Sequence, residues 1–295
     1  MRRFFADRVQ KISVNPGFSC PNRDGSISTG GCTFCNNHSF SPAYCLTSDS
    51  ITQQITNGLQ FFAHKPEYQH FIVYFQSYSN TYAPVEVLER YYREALSVPG
   101  VVGLAIGTRP DCVPNEVLDL LANLSQKHFI LLELGVESTH NATLQAINRG
   151  HTFETSVDAI QRAHQRGILT AAHLIIGLPG ESRDDILKSA DKMAHLPIDM
   201  IKLHQLQIIK NTALAQQYMA NPQSISLFSC NEYIDLCIDV MERLRPDICI
   251  ERFVSQSPDK WRIAPQWQLK NYEFVHRLQA RIQERGAFQG RLFQN

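Results

Sequence analysis

Residues 20–35 read CPNRDGSISTGGCTFC and place three cysteines in one loop, Cys20, Cys32 and Cys35. The loop follows an alternating run, residues 9–18, that predicts a β-strand. Glycines in and just before the loop let the backbone turn tightly enough for distant cysteines to converge. Thiolates are soft ligands that suit zinc or an iron–sulfur cluster. The loop therefore predicts a metal centre beyond the end of the first strand.

The number of available ligands separates the two kinds of metal centre. A closed structural zinc site takes four ligands. His38 and Cys45 are the nearby candidates for a fourth ligand, and neither has the spacing of a zinc finger. Three thiolates on a four-iron cluster leave one iron open, and a reactive metal site needs such an open position. The spacing therefore favours a [4Fe-4S] cluster, with a zinc site and unliganded thiols as the alternatives.

The loop resembles that of radical S-adenosylmethionine (SAM) enzymes, and Phe34, just before the last cysteine, matches their pattern. The resemblance implies that Cys20, Cys32 and Cys35 hold a [4Fe-4S] cluster whose fourth iron is chelated by SAM. The first two cysteines are separated by eleven residues, whereas most of the superfamily has three. Such long gaps occur in the branch that contains the elongator catalytic subunit and the YhcC/YtqA-like proteins. Residues 17–25, GFSCPNRDG, and 107–112, GTRPDC, look specifically like the YhcC/YtqA-like family.

The rest of the chain predicts an α/β fold. Apolar strands begin near residues 10, 71, 101, 129, 168 and 200 and alternate with helical segments. Their near-continuous apolar character predicts a parallel sheet covered on both faces. The resemblance implies an open, partial (β/α)6 TIM-like barrel, although periodicity alone also fits a flatter doubly wound sheet. In both folds the ligand lies at the carboxyl edge of the strands.

The expected domain organisation has two parts. Residues 1–245 form the core, with the cluster loop at 17–37, and residues 246–295 form a C-terminal α/β extension. Within these parts we expect a helix at 226–244, a strand at 248–254 and a last helix at 267–284. From residue 251 onward the chain has eight Lys or Arg against four acidic residues, and it holds both tryptophans. This tail predicts either a surface that contacts RNA or a helix that packs its aromatic residues on the barrel.

The resemblance, applied to the strand ends, implies the residues that bind SAM. Glu137 stands where related coproporphyrinogen dehydrogenases contact the ribose, and Arg149 stands where they grip the SAM carboxylate. The full implied set is Phe34, Gln76, Ser77, Thr108, Glu137, Arg149, His173, Ile175, Gly177 and Leu206. The alternatives are a polar turn for Gln76 and Ser77, a surface Glu–Arg pair for Glu137 and Arg149, and a core histidine for His173.

Three further residues are candidates for contact with the substrate. Arg109 can grip a carboxylate or phosphate, or it can form a salt bridge with Asp111 in the same turn. Lys202 and His204 lie on one face of the sixth strand, where either can donate a proton or make a structural hydrogen bond. No role follows for the remaining cysteines, Cys45, Cys112, Cys230, Cys237 and Cys249.

Composition limits the cellular setting. The chain has 295 residues and zero formal net charge, so whole-chain electrostatics argue neither for nor against an anionic partner. Eight cysteines in a chain of this length are too few for a disulfide scaffold, which indicates a reducing cytoplasm. No apolar run has the length of a membrane span. We therefore expect a cytoplasmic protein with no membrane partner.

Three functions stay open at this point. The first is a radical SAM enzyme that modifies tRNA, with a wobble uridine as the expected position and flavodoxin or ferredoxin as the electron donor usual for the family. The second is a radical SAM enzyme that oxidises a small molecule, such as a tetrapyrrole-like metabolite. The third is a zinc-stabilised RNA-binding protein without catalysis.

Overall fold

The computed structural model describes residues 4–5, 7–64 and 70–294, without the side chain of His38. Within these residues the strands β1–β9 cover Val9–Val14, His70–Phe75, Val101–Thr108, Phe129–Glu137, Leu169–Ile176, Met200–Gln205, Ile208–Ile209, Cys249–Arg252 and Arg262–Ala264. The helices α1–α9 cover Ile51–Phe62, Val85–Leu96, Asn115–Ser125, Asn141–Ala146, Phe153–Gln165, Arg183–Ala194, Ala213–Ala220, Cys230–Arg243 and Asn271–Arg285.

Strands β1 to β6 and β8 form one parallel sheet in the order β1-β2-β3-β4-β5-β6-β8. The sheet curls into a half-barrel with helices on its outside, which confirms the predicted α/β partial barrel. Its strand count differs from the expected six. Strand β8, which the sequence placed in the C-terminal extension, pairs in parallel with β6 and becomes the seventh strand. The boundary predicted between residues 245 and 246 therefore falls just before a strand of the core sheet.

Alternation along the strands separates the inside of the half-barrel from the outside. Outward residues such as Val73, Leu104 and Leu132 join the helices in the large apolar core. The alternate residues Ile72, Ala105 and Leu131 belong to a smaller apolar cluster on the other face of the sheet. Two residues beyond Leu131 on that face stands Glu133, which is fully buried. The inside of the barrel thus changes from apolar to polar toward the carboxyl ends of the strands.

Several helix ends carry caps that local sequence explains. The hydroxyl of Ser182 accepts from the backbone N of Asp185, and the Asp185 side chain accepts in return, so α6 begins with a capping box. Gly167 follows α5 in a left-handed conformation, φ +69°, as expected for a C-terminal cap. Helix α9 begins at Asn271 rather than 267, because Trp267 stacks on Phe274 and donates its indole N–H to the Phe228 carbonyl, 3.1 Å away.

Two strands end early at the carboxyl edge of the sheet. Strand β1 ends at Val14 instead of continuing to residue 18, because Pro16 has no N–H to give to a ladder. The sixth strand ends at Gln205, and Ile208–Ile209 instead pairs antiparallel with β9. Both breaks lie at the carboxyl edge, so the chain leaves the sheet where the site is built.

A substitution at Gly103 tests how closely β3 pairs with β4. A Cβ at this position lies 2.1 Å from the backbone oxygen of Phe129, which cannot rotate away as a side chain can. We expect Gly103→Ala to destabilise the fold by about 3 kcal/mol, the upper end of the range for overpacking. Gly167→Ala is the control, since a Cβ there meets nothing within 4 Å and carries only the left-handed backbone cost, about 1–2 kcal/mol. Urea unfolding measures both, and a Gly103 variant no less stable than the Gly167 variant contradicts the predicted clash.

Candidate functional site

A cavity of about 480 Å³ opens at the carboxyl edge of the parallel strands. The cysteine loop, the ends of β2 to β6 and residues 252–258 line it. It brings together thirteen of the sixteen predicted site residues: Cys20, Cys32, Phe34, Cys35, Gln76, Thr108, Arg109, Glu137, Arg149, His173, Ile175, His204 and Leu206. Predicted residues up to 186 positions apart in the chain therefore share one site.

Three predicted residues lie behind the cavity wall instead. The hydroxyl of Ser77 is buried 2.9 Å from that of Ser41. Gly177 has φ +92°. A Cβ at this position would lie 3.1 Å from the ring of Phe228, so the absence of a side chain allows this ring to pack closely. Lys202 is fully buried and pairs with Glu133. None of these three residues lines the cavity.

The loop that carries the cysteines is anchored on two other segments. The Asn22 amide donates to the backbone carbonyl of Asn148 at 2.5 Å. The backbone N of Thr33 donates to the Ile147 carbonyl at 3.0 Å. Within the loop, the Arg23 guanidinium donates to the Cys35 carbonyl at 2.7 Å. The turn after α4 therefore fixes where the thiols lie.

The three cysteines carry free thiols that face the same cavity. Burial, followed by the neighbouring Cys32 thiol, raises the pKa of the Cys35 thiol to about 11. In the described part of the chain, no group of three or more His, Cys, Asp or Glu side chains is arranged around a single metal ion. A four-iron cluster makes a different demand, because it takes thiolates on separate irons.

The other two ligand candidates do not join this group. The thiol of Cys45 lies 3.0 Å from the Ser13 carbonyl, outside the residues that line the cavity. The side chain of His38 is outside the described part of the structure. The remaining four cysteines, Cys112, Cys230, Cys237 and Cys249, do not line the cavity either.

Arg149 connects the cysteine loop with the end of β4. Its Nη1 lies 3.4 Å from the Cys32 Sγ, and its Nη2 donates to the Gly135 carbonyl at 2.6 Å and lies 3.5 Å from the Glu137 carboxylate. Burial opposes its charge, but Cys32 and Glu137 outweigh burial and raise the pKa of the guanidinium. Its Nε is buried without a partner among the described residues. Arg149 thus retains a donor for a bound molecule.

A bulge at the end of β4 aims Glu137 at this site. The register with β5 shifts between Gly135 and Glu137, and Glu137 has φ +67°. A Cβ at position 135 meets the Glu137 carboxylate at 2.5 Å and the Arg149 guanidinium at 2.6 Å, so only glycine leaves room for both. The Glu137 and Arg149 side chains are 13% and 8% exposed, so they form a buried ion pair and not the surface pair that the sequence left open.

Arg109 forms the local ion pair that the sequence allowed. Its Nε and Nη2 donate to the two carboxylate oxygens of Asp111, at 2.9 and 2.7 Å. Its Nη1 is buried without a partner among the described residues. The Thr108 hydroxyl lies 2.6 Å from that of Thr81, which fixes the wall beside Arg109.

Below the cavity lies a cluster of buried charges that the sequence analysis did not assign. Glu133 accepts from Lys202 at 2.6 Å and from Lys11 at 2.9 Å, and Lys11 also donates to Glu251 at 2.6 Å. Although burial disfavours its charge, Lys202 and Lys11 hold the pKa of the Glu133 carboxyl well below its usual range. The contact between Lys11 on β1 and Glu251 on β8 joins the two edge strands across the barrel.

Two histidines that line the cavity, His173 and His204, lie beside this cluster of buried charges. Because Glu133 is ionised, the Nε2 of His173 donates to it, at 3.1 Å. The rings of His173 and His204 are 5.2 Å apart. Burial, with His173 beside it, holds the pKa of His204 well below its usual range, so His204 is neutral. Isolated charges in otherwise apolar strands, such as Lys11 and Glu133, were the signal for this cluster.

Three of the eight basic residues of the predicted tail pair with a neighbouring helix. Arg281 donates to Asp235 at 2.8 Å, Arg285 to Asp239 at 2.5 Å, and Arg291 pairs with Glu242. All three acidic residues belong to α8. With Trp267 stacked on Phe274, this part of the tail matches the alternative of a helix that packs on the barrel.

Two protein-family models match the chain. The model of the Radical SAM superfamily matches residues 15–193, and that of the Radical_SAM C-terminal domain matches residues 198–284. The chain therefore belongs to the radical SAM superfamily, and it is an enzyme of that superfamily. Enzymes of this superfamily use a [4Fe-4S] cluster and SAM.

Within the superfamily, the chain is similar to YtqA of Bacillus subtilis (strain 168), with 35% identity over 297 aligned positions, 100% of this chain and 91% of that protein. It is also similar to the tRNA uridine(34) acetyltransferase of Methanocaldococcus infernus, at 30% identity over 40% of this chain and 22% of that protein. Among solved structures, Elp3 of M. infernus has the same fold, with a TM-score of 0.73 and 16% identity. That alignment covers 96% of this chain and 64% of the Elp3 chain.

The residues present suit the two cofactors. Three free thiols face one cavity, and beside Cys32 the buried Arg149 keeps an N–H that has no partner among the described residues. The zinc-stabilised protein without catalysis loses its support, because the family is one of enzymes. No helix in the described ranges of the chain has the length and apolar character that crossing a membrane requires.

Proposed function

We propose that this enzyme reductively cleaves SAM to a 5′-deoxyadenosyl radical, which abstracts hydrogen from a tRNA in a wobble-uridine modification step. The observation that supports it most is the convergence of Cys20, Cys32 and Cys35 with the Glu137–Arg149 pair in one cavity. The choice of tRNA is supported by partial similarity to a protein named tRNA uridine(34) acetyltransferase.

In this proposal each residue has a stated part. Cys20, Cys32 and Cys35 hold the cluster by three irons. Arg149 grips the SAM carboxylate, because a guanidinium matches a carboxylate in charge and geometry. Glu137 accepts hydrogen bonds from the ribose hydroxyls.

The remaining lining residues complete the SAM pocket. Ile175 packs on the adenine face, and Phe34, Leu206 and Thr108 exclude water from it. Gln76 orients the SAM amine in this proposal, and the Ser13 hydroxyl donates to its Oε1 at 3.1 Å. His173 borders the same pocket, held by Glu133.

The setting follows from the same chemistry. We place the reaction in the cytoplasm, with flavodoxin or ferredoxin as electron donor. All eight cysteines are free, as expected for a reducing compartment. A tRNA contact uses the basic residues of the tail that remain outside the α8 ion pairs, such as Lys260 and Arg277.

A second candidate substrate is a small metabolite, such as a tetrapyrrole-like compound that the enzyme oxidises. The cavity volume of about 480 Å³ favours this candidate, since it falls within the range of small-molecule pockets. The buried charges of the cavity floor also offer polar contacts to such a molecule.

Anaerobic reconstitution followed by a tRNA assay tests the proposal. The reconstituted protein is incubated with a reductant, SAM and tRNA from a strain that lacks the gene. The proposal predicts 5′-deoxyadenosine and a changed modified nucleoside by mass spectrometry. Product from SAM without a change in tRNA, together with a metabolite that accumulates in the deletion strain, favours the small-molecule candidate. No cleavage of SAM contradicts both.

Arg149→Gln tests the assignment of the SAM carboxylate. Loss of a charged hydrogen-bond donor is expected to weaken SAM binding roughly ten- to a hundredfold. Iron content is measured on the same sample, because Arg149 also touches Cys32. The control is Arg90→Gln, which removes an exposed arginine on α2. Native SAM affinity in an iron-replete Arg149 variant contradicts the assignment.

A further inference from the structure

Arg252 stands at the end of β8, on the wall of the cavity. The register between β6 and β8 slips after Ile201, so that Glu251 is an extra residue between the paired positions of β8. Such a bulge re-aims the side chains beside it. Glu251 reaches down to Lys11 at 2.6 Å, whereas Arg252 lines the cavity.

The other charges at this end of the barrel have partners. Lys11 and Lys202 share Glu133 and Glu251, as described above. Arg109 pairs with Asp111, and Arg149 pairs with Glu137. Arg252 differs: it lines the cavity, and no ion pair or hydrogen bond joins it to another residue among 4–5, 7–64 and 70–294. A guanidinium on a cavity wall without a counter-charge favours an anion there.

Two further residues that line this cavity each hold a buried polar atom that has no partner among the described residues. Gln207 is 8% exposed, and its amide N donates to the Ser255 carbonyl at 2.8 Å, which leaves its Oε1 buried without a partner among the described residues. The Nε2 of His204 is likewise buried and has no partner in that part of the chain. A neutral imidazole can donate from this nitrogen, and an amide oxygen accepts.

We propose that Arg252, His204 and Gln207 form a subsite for an anionic oxygen group of the substrate, a phosphate or a carboxylate that has an N–H or O–H donor beside it. Arg252 and His204 donate to the anion, and the Gln207 amide oxygen accepts from the neighbouring donor. The subsite rests on the proposed function in taking the cavity as the place of reaction, and it adds the chemical class of the substrate. SAM keeps its own carboxylate partner, Arg149.

Binding of inorganic phosphate to the reconstituted holoprotein, with SAM present, tests this subsite. Titration calorimetry compares the native protein with Arg252→Gln, Arg252→Lys and the surface control Arg90→Gln. Arg252→Gln is expected to bind phosphate at least about tenfold more weakly, since it loses a charge-assisted contact. Arg252→Lys should fall in between, because lysine keeps the charge but not the fork of donors.

Two results overturn the subsite. One is equal phosphate affinity in Arg252→Gln and Arg90→Gln. The other is the lack of saturable phosphate binding by the native holoprotein. Circular dichroism checks that each variant is folded, and the partly exposed position of Arg252 makes both replacements tolerable.

A second measurement, of tRNA affinity, identifies which kind of molecule carries the anionic group. If it is a phosphate of tRNA, Arg252→Gln lowers tRNA affinity and reduces the slope of log affinity against log salt by about one. If it belongs to a free small molecule, tRNA affinity is equal in Arg252→Gln and Arg90→Gln while phosphate affinity falls. Both results support the subsite. SAM cleavage without substrate is measured separately, and its failure counts against the proposed function rather than against Arg252.

Discussion

Replacing Cys35 by alanine is expected to abolish cluster binding, and with it SAM cleavage, while the barrel stays folded. A four-iron cluster held by three thiolates loses a third of its protein ligands. The fold does not need this thiol, because the loop is tied down by backbone and amide contacts. The Arg23 guanidinium donates to the Cys35 carbonyl, which alanine retains. The barrel strands lie outside the loop.

Cys230→Ala is the matched control for this prediction. Cys230 is the first residue of α8 and does not line the cavity. Iron and sulfide analysis after anaerobic reconstitution should give a full cluster in Cys230→Ala and essentially none in Cys35→Ala. Circular dichroism should be unchanged in both. A Cys35 variant with native iron content and native SAM cleavage would falsify the ligand assignment.

Glu133→Gln is expected to destabilise the fold by about 3–5 kcal/mol, the usual cost of breaking a buried ion pair from one side. Lys202 is fully buried and donates to Glu133 at 2.6 Å, whereas its other acidic neighbour, Glu251, is 3.5 Å away. The variant leaves this ammonium group without its close counter-charge. Lys11 and His173 lose a partner at the same time.

The same carboxylate makes stability depend on pH. Since the pKa of Glu133 is lower in the folded state, the carboxylate contributes stability above its unfolded pKa, about 4.3. This contribution is lost as the pH falls through the lower, folded pKa. Glu133→Gln should therefore show a flatter fall in stability below about pH 4.3. The control is Glu116→Gln, an exposed residue in the first turn of α3.

Urea unfolding of the two variants at several pH values makes the measurement. Glu116→Gln is expected to stay within about 0.5 kcal/mol of the native protein, as most surface replacements do. If Glu133→Gln is as stable as Glu116→Gln at neutral pH, the Glu133 carboxylate adds no more to the free energy of unfolding than a surface carboxylate does, which contradicts the prediction.

Local patterns predicted the cysteine side of the cavity. The loop spacing of Cys20, Cys32 and Cys35 and the strand–helix alternation are properties of short segments, so they can be read without coordinates. The resemblance to radical SAM enzymes then implied the SAM-binding residues at the strand ends, in agreement with the rule that ligands lie at the carboxyl edge. Ser77 was placed on that edge correctly but lies behind the wall, because the turn buries its hydroxyl against Ser41.

The opposite side of the cavity depends on register and could not be read this way. Lys11 and Glu251 are 240 positions apart and meet because the two edge strands approach across the barrel. The bulge before Arg252 is invisible in a run of only four strand residues. Strand β8 was expected, but its place beside β6 is a tertiary fact that its sequence does not contain.

The most direct test of the account concerns the open iron. Electron–nuclear double resonance on the reduced cluster, with SAM labelled by ¹⁵N in the amine and ¹⁷O in the carboxylate, detects whether these atoms bind iron. We expect hyperfine coupling to both labels in the native protein, with a cluster held by Cys20, Cys32 and Cys35. An intact cluster without coupling to either label, or a colourless protein that contains zinc, would contradict it.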